Sequence, residues 1–337
     1  MLCVHGNFGD SLMLELMHGA NPENLFRAFG VPVPEKILDF STNTNVIAWP
    51  KITLDVERIA SSYPDPECNR LREIISERER VPVSKILFTN GANQAIFLLA
   101  GLFTENTAIL QPCYGEYSRA FRNAESIFSL DGAKNFRHVI ICNPNNPTGR
   151  FIPDLSRTIA SNPETIFIID ESYVDFLTFK KSERLVDFHN AVILRSLTKI
   201  FHLSGARIGY LIADESIVDA VKMNMPSWSV NAFAQELALK FLNDDEFLRR
   251  TRDFYRLNTP LFINELKCLG LEVIESDVNF FLLKADDDKR LIRFLLTNGI
   301  AVRHTRNFVS LDGKYIRVSV RRPEENEIFV EAMRDFV

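Results

Sequence analysis

Cysteine is scarce and scattered. The five residues Cys3, Cys68, Cys113, Cys142 and Cys268 form no Cys-x-x-Cys pair, which speaks against a disulfide framework and against a metal site. The set fits free thiols in a reducing compartment. A long apolar run is missing too: the stretch near Ala95 to Phe103 is far short of the roughly 20 residues that a membrane span needs. The first residues show no basic segment followed by an apolar core, so no secretory signal is expected and a cytoplasmic location is. There is no basic excess, since 39 Lys and Arg face 44 Asp and Glu for a net charge of -5. That balance removes the electrostatic case for a nucleic-acid partner. Internal repeats and low-complexity tracts are also absent, which excludes solenoids and linker arrays.

What remains is a 337-residue chain with 46% hydrophobic residues, long enough for one large domain and one smaller one. The middle of the chain alternates apolar runs with helical stretches, the pattern of a doubly wound, mostly parallel sheet covered by helices on both faces. The runs at 108–111, 138–142, 165–170 and 191–196 read as strands, with 207–212 after them. Pro226-Ser227-Trp228-Ser229 breaks the alternation before a long helical region from about Asn231. Strand signals at 271–274, 279–283 and 315–320, with a helix through 291–296 between them, then read as α+β. The expected division is a large α/β/α domain at 45–235 and a small α+β domain built from 1–44 and 236–337.

Four segments carry chemistry. In Ser196-Leu197-Thr198-Lys199, followed by Gly205-Ala206-Arg207-Ile208-Gly209-Tyr210, an amine stands among hydroxyls with an arginine eight positions on. A lysine amine forms a Schiff base with an aldehyde, while hydroxyls and a guanidinium hold phosphate. Pyridoxal 5'-phosphate carries both groups on one ring. Phe167-Ile168-Ile169-Asp170-Glu171-Ser172-Tyr173 reads as a buried strand with Asp170 at its carboxyl end, where open α/β sheets place ligands. A carboxylate there can pair with a protonated pyridine nitrogen. Val139-Ile140-Ile141-Cys142 runs into the turn Asn143-Pro144-Asn145-Asn146-Pro147-Thr148-Gly149, from which Asn146 can present an amide. Gly91-Ala92-Asn93 opens an apolar helix whose first N–H groups suit a phosphate. Cys113 and Cys142, near these segments, read as small buried packing residues.

These segments, in this order, resemble the fold-type I pyridoxal-phosphate enzymes, and among them the histidinol-phosphate aminotransferase group. The resemblance spans nearly the whole chain. It implies Lys199 as the amine that bonds the cofactor, Asp170 on the pyridine nitrogen, and Asn146 and Tyr173 on the ring oxygen. Ala92, Asn93, Ser196, Thr198 and Arg207 are implied around the phosphate. Tyr114, in Gln111-Pro112-Cys113-Tyr114-Gly115-Glu116-Tyr117, matches the aromatic that stacks on the ring. Tyr63, in Ser62-Tyr63-Pro64-Asp65, matches a tyrosine that reaches the phosphate of a partner subunit, which implies a homodimer.

The reaction type must come from the chain's ends, because this cofactor core serves many chemistries. Tyr315-Ile316-Arg317-Val318-Ser319-Val320 sets an arginine in an apolar strand, a costly placement unless it meets an anion. The resemblance makes Arg317 the group that forks onto the substrate carboxylate. His18-Gly19-Ala20-Asn21 with Asp39-Phe40-Ser41-Thr42-Asn43-Thr44-Asn45 is similar to the opening of the L-threonine-O-3-phosphate decarboxylases of cobalamin biosynthesis. That branch implies His18, Gly19, Asn43 and Arg303, with Asn146, as contacts of a small phosphorylated amino acid. Three features depart from the branch: Ala20 stands for a second glycine, Val46-Ile47-Ala48-Trp49-Pro50 follows Asn45, and Met1–Met17 has no counterpart. All lie toward the substrate end of the pattern. The implied activity is decarboxylation of phosphothreonine, or of phosphoserine, which differs by one methyl. The alternatives are a histidinol-phosphate-type aminotransferase and, further off, a catalytically silent sensor on the same fold. The intact Lys199, Asp170 and Arg207 argue against silence.

Overall fold

In the computed structural model, which describes residues 19–177 and 184–337, branched apolar runs become strands. In chain order these are β1 (Leu38–Asp39), β2 (Ile86–Thr89), β3 (Thr107–Leu110), β4 (Glu125–Ile127), β5 (His138–Cys142), β6 (Ile166–Asp170) and β7 (Ala191–Ser196). They continue as β8 (Gly209–Ile212), β9 (Val273–Ile274), β10 (Phe280–Lys284), β11 (Ile300–Ala301), β12 (Arg303–His304) and β13 (Tyr315–Ser319). The chain divides into two compact units. Among the described residues, the larger holds Thr44–Asn146 and those of Arg150–Phe254, and the smaller holds 19–43, Pro147–Gly149 and Tyr255–Val337.

The larger unit is built on a seven-stranded sheet in the order β2-β8-β7-β6-β5-β3-β4. The strands from β7 to β4 pair in parallel, while β8 runs antiparallel to both β7 and β2. Parallel strands are covered on both faces, which is why Val139, Ile140, Ile168, Val192 and Ile193 are all buried. The helix Gly91–Leu102 lays Ala95, Ile96 and Leu99 on that sheet, and the helix Glu215–Met223 adds Val218 and Val221 to the same core. Each large apolar side chain so buried contributes about 1.5–3 kcal/mol.

Two details differ from the sequence reading. Arg207 and Ile208 lie outside the strand: Arg207 sits at φ 60°, left-handed backbone that a strand cannot use, so β8 starts at Gly209. The helical region from about Asn231 is two helices, Ala232–Leu242 and Asp245–Cys268. The first packs on the helices Val56–Ser61 and Asn69–Glu79, elements of the larger unit. The division therefore falls between Phe254 and Tyr255, later than position 236.

The smaller unit carries an antiparallel sheet in the order β12-β13-β10-β9 and a parallel pair of β1 with β11. The helices Asp288–Thr297 and Pro323–Phe336 flank them in sequence. Its core is aromatic. Phe40 packs on Phe329 at 4.9 Å and on Phe262 at 6.2 Å between ring centroids, and Phe262 meets Phe281 at 5.3 Å. Phe40, fully buried, thus anchors the segment that leads into Ser41 and Asn43.

Candidate active site

In the larger unit the functional segments gather at the carboxyl ends of neighbouring strands. Cys142 pairs in register with Asp170, and Ser196 with Gly209, which also pairs with Thr89. The turn after β5 is tied to β6, because Asn143 N donates to Asp170 O at 2.8 Å. Open sheets bind ligands at this edge.

One end of the group is an anion cradle. The helix Gly91–Leu102 starts with no side-chain cap, so its first N–H groups and its dipole face outward. A side chain at either nearby glycine would close the space. A Cβ on Gly91 would stand 2.8 Å from Arg207 Nη2, and one on Gly209 would stand 2.7 Å from Ala92 N. Ser196 Oγ and Thr198 Oγ1, both buried, are 2.7 Å apart. Asn93 Oδ1 is buried without a hydrogen-bond partner among the described residues. Donors, a guanidinium and kept-open space fit a phosphate. Ala92, Ser196 and Arg207 thus lie around Gly91 and Gly209, with Thr198 against Ser196 and Asn93 in the first turn of the helix.

The other end is acidic. Asp170 is buried, takes a hydrogen bond from the Tyr117 hydroxyl, and accepts from Ser172 N at 2.8 Å. A carboxylate so fixed suits a cationic ring nitrogen. Tyr117 escaped the sequence reading, although it follows Tyr114 by three positions, the spacing that puts two side chains on one side of a helical turn. The two rings meet edge to face at 6.3 Å. Burial and the Asp170 charge hold the Tyr117 hydroxyl well above the ordinary tyrosine range, so it stays a proton donor. Burial also pushes the Cys113 thiol up to about 12, which leaves it an inert packing group. Asn146 and Tyr173 are buried as well.

Beside Asp170, Glu171 faces Arg195 at 2.8 Å. Burial pushes the Glu171 carboxyl up to about 7 against the pull of Arg195. The pair joins the residue after Asp170 to the residue before Ser196.

Lys199 lies half-buried in the one-turn helix Leu197–Ile200. Asn45 braces that turn. Its N–H donates to Lys199 O at 3.0 Å, and its Nδ2 donates to Ile200 O and Thr251 Oγ1, each at 2.8 Å. Asn45 belongs to the motif noted in the sequence, yet its bracing role was not legible there.

The smaller unit presents two buried arginines on one sheet face. Arg303 and Arg317 are directly opposite in the β12–β13 register, each 4% exposed. Like charges placed so are unfavourable unless an anion lies between them. Arg317 Nη2 donates to Ser41 O at 2.7 Å, and its guanidinium stands 5.2 Å over Phe280. Arg303 Nη2 donates to Asn307 Oδ1 at 2.7 Å. Gly19 packs on the same Ser41 carbonyl, where a Cβ would come within 2.5 Å of the oxygen. Asn43, buried, takes a hydrogen bond from Asn279 Nδ2 at 3.0 Å on its carbonyl. The motif holds its own shape: Asp39 Oδ1 accepts from Ser41 N at 2.8 Å and Oδ2 from Thr42 Oγ1 at 2.5 Å. Gly19, Asn43, Arg303 and Arg317 thus converge. Ser41, Asn279 and Asn307 were missed, since nothing in their spacing marks them.

Two expected residues stand elsewhere. His18 lies outside the described residues. Tyr63 is 84% exposed and packs on Trp228 at 5.0 Å between centroids. Among the described residues no group of three or more His, Cys, Asp or Glu could hold a metal, and no helix is long and apolar enough to cross a membrane.

Comparison with known proteins gives the following. The aminotransferase class I and II family profile matches residues 127–333. The threonine-phosphate decarboxylase of Salmonella typhimurium is 30% identical, over 94% of this chain and 96% of its own length. The adenosylcobalamin biosynthesis bifunctional protein CobDQ of Leptospira interrogans is 29% identical over 94% of this chain, which spans only 40% of that longer protein. Among solved structures, the histidinol-phosphate aminotransferase of Clostridium acetobutylicum superposes with a TM-score of 0.81 at 27% identity, covering 89% of this chain and 99% of that one.

Proposed function

The chain belongs to the aminotransferase class I and II family, and we propose that within it this protein decarboxylates a phosphorylated amino acid, L-threonine-O-3-phosphate or L-serine-O-phosphate. The fold is that of the fold-type I pyridoxal-phosphate enzymes, and the cofactor is pyridoxal 5'-phosphate. When bound, the cofactor supplies an electron sink for the pair released as a bond to the substrate's α-carbon breaks.

The larger unit's residues take the cofactor roles. Lys199 is the amine that would hold the cofactor. Asp170, aimed by Tyr117, would keep the ring nitrogen protonated. Asn146 and Tyr173 would serve the ring oxygen and Tyr114 the ring face. Ala92, Asn93, Ser196, Thr198 and Arg207 hold the phosphate, and Tyr63 serves the partner subunit of a homodimer.

The observation that carries the decarboxylase reading is the cross-strand pair Arg303 and Arg317. Residues opposite on antiparallel strands are about 5 Å apart at their backbones. Two buried cationic side chains that start from facing positions suit two anionic groups on one short skeleton. A β-phosphorylated α-amino acid carries both, a carboxylate for Arg317 and a phosphate for Arg303, with Gly19 and Asn43 beside them and His18 a further contact by the sequence resemblance alone. Histidinol phosphate has the phosphate and lacks the carboxylate. Holding both ends fixes which α-carbon bond breaks. The bond to the carboxylate opens, carbon dioxide leaves, its electron pair stays on carbon, and a proton replaces it. The product is an amino-alcohol phosphate, the kind of unit found in the nucleotide loop of cobamides. Loss of the α-proton instead would expel the phosphate by elimination, so a rigid two-point grip also protects the product.

The aminotransferase alternative keeps support from the likeness to histidinol-phosphate aminotransferases. Incubation with phosphothreonine and with phosphoserine, scoring carbon dioxide, free phosphate and keto acid separately, decides between them. Carbon dioxide alone supports decarboxylation. Keto acid formed only with 2-oxoglutarate present overturns it.

A further inference from the structure

Arg303 is held from two sides. Its Nη1 lies 2.8 Å from His304 Nε2, its Nη2 donates to Asn307 Oδ1 at 2.7 Å, and its Cζ stands 5.0 Å over the Phe308 ring. A guanidinium offers N–H donors and no acceptor. His304 Nε2 is therefore the accepting nitrogen, which makes the ring neutral with its proton on Nδ1. Neither acceptor is a carboxylate, so neither cancels the charge of Arg303; both fix the plane in which it points. His304 is 2% exposed and Arg303 4%, and a hydrogen bond so far from water is stronger than one at the surface.

We propose that His304, as the neutral Nδ1–H tautomer, is a positioning residue that aims the Arg303 guanidinium at the phosphoryl group of the substrate and thereby sets affinity for phosphorylated substrates. This rests on the reading of Arg303 as the phosphate-binding arginine. A side chain with no acceptor at position 304 leaves the guanidinium unaimed. A neutral acceptor of similar reach keeps it in place without drawing on its charge.

The test uses the holoenzyme and the variants His304→Leu, His304→Gln and Arg303→Ala. Phosphothreonine is titrated by the change it makes in the visible absorption band, with inorganic phosphate as competitor. His304→Leu is expected to weaken both ligands about tenfold, the scale of one hydrogen bond to a charged group. In turnover the loss falls on KM, with kcat reduced less than about threefold, because the bond serves binding. His304→Gln restores most of the affinity through its amide oxygen. Nitrogen-15 spectra of histidine-labelled wild type show a buried ring protonated at Nδ1, which needs no variant to fold. If Arg303→Ala weakens phosphate and His304→Leu does not, the proposal is overturned while Arg303 keeps its role. If Arg303→Ala leaves phosphate binding unchanged, the reading of Arg303 fails and takes the proposal with it. A ring protonated at Nε2 also overturns the proposal, whatever the variants do.

Discussion

Arg303 and Arg317 are equally buried and opposite in register, yet their removal has different expected consequences. Arg303→Ala raises KM for phosphothreonine roughly ten- to a hundredfold, since one charge-assisted hydrogen-bond partner is lost. Arg317→Ala instead lowers turnover and releases free phosphate, because the carboxylate it holds is the departing group. Steady-state kinetics with a phosphate assay separates the two. At Glu171 the expectation concerns pH. Its carboxyl is raised to about 7 in the fold, so between its ordinary range and neutrality the folded state holds a proton that the unfolded chain has released. Stability therefore falls as pH rises from about 4.5 to about 7. Glu171→Gln, which keeps an acceptor for Arg195, flattens that slope; Glu79 and Asp175, whose charges also bear on Glu171, are unchanged. Thermal melts across this range check it, and an unaltered slope contradicts the assignment.

At the scale of elements, the cradle depends on the helix Gly91–Leu102 lying close against β8. Gly209→Ala would put a methyl 2.6 Å from Arg195 O and 2.7 Å from Ala92 N, both backbone atoms. We expect it to cost about 1–3 kcal/mol, as overpacking does, and to speed cofactor loss on dialysis; unchanged retention would remove Ala92 from the cradle. Elements of this kind were legible in the sequence where one physical signal dominated. β5, β6 and β7 are continuous branched apolar runs, so their positions were read to within a residue. Arg207 and Ile208 were misread because alternation carries no sign of a left-handed φ. The two-residue strands β11 and β12 are too short for any period to show, so the pairing of Arg303 with Arg317 emerged only with the fold. The segments from which the cofactor roles are proposed were legible because they are compact motifs. Tyr117, Asn45 and Ser41 act through hydrogen bonds to distant or backbone atoms, and His304 through a side-chain contact with its neighbour Arg303 that only the folded chain sets, so no local pattern records them.

For the whole molecule, the exposed Tyr63 and its partner Trp228 are expected to be covered in a homodimer. Tyr63→Phe should retain the fold and dimer and lose cofactor faster than wild type. Sedimentation with absorbance at the cofactor band measures both, and a fully active monomer refutes the assembly. The central claim is that two buried arginines direct bond breaking to the carboxylate of a phosphorylated amino acid. Its most direct test is carbon-13 magnetic resonance of holoenzyme supplied with phosphothreonine labelled at the carboxyl carbon, with no keto acid added. The account predicts that the label leaves the substrate and appears as bicarbonate, in step with an amino-alcohol phosphate. Label that stays in the carboxyl group, while added 2-oxoglutarate is consumed with histidinol phosphate, would contradict it.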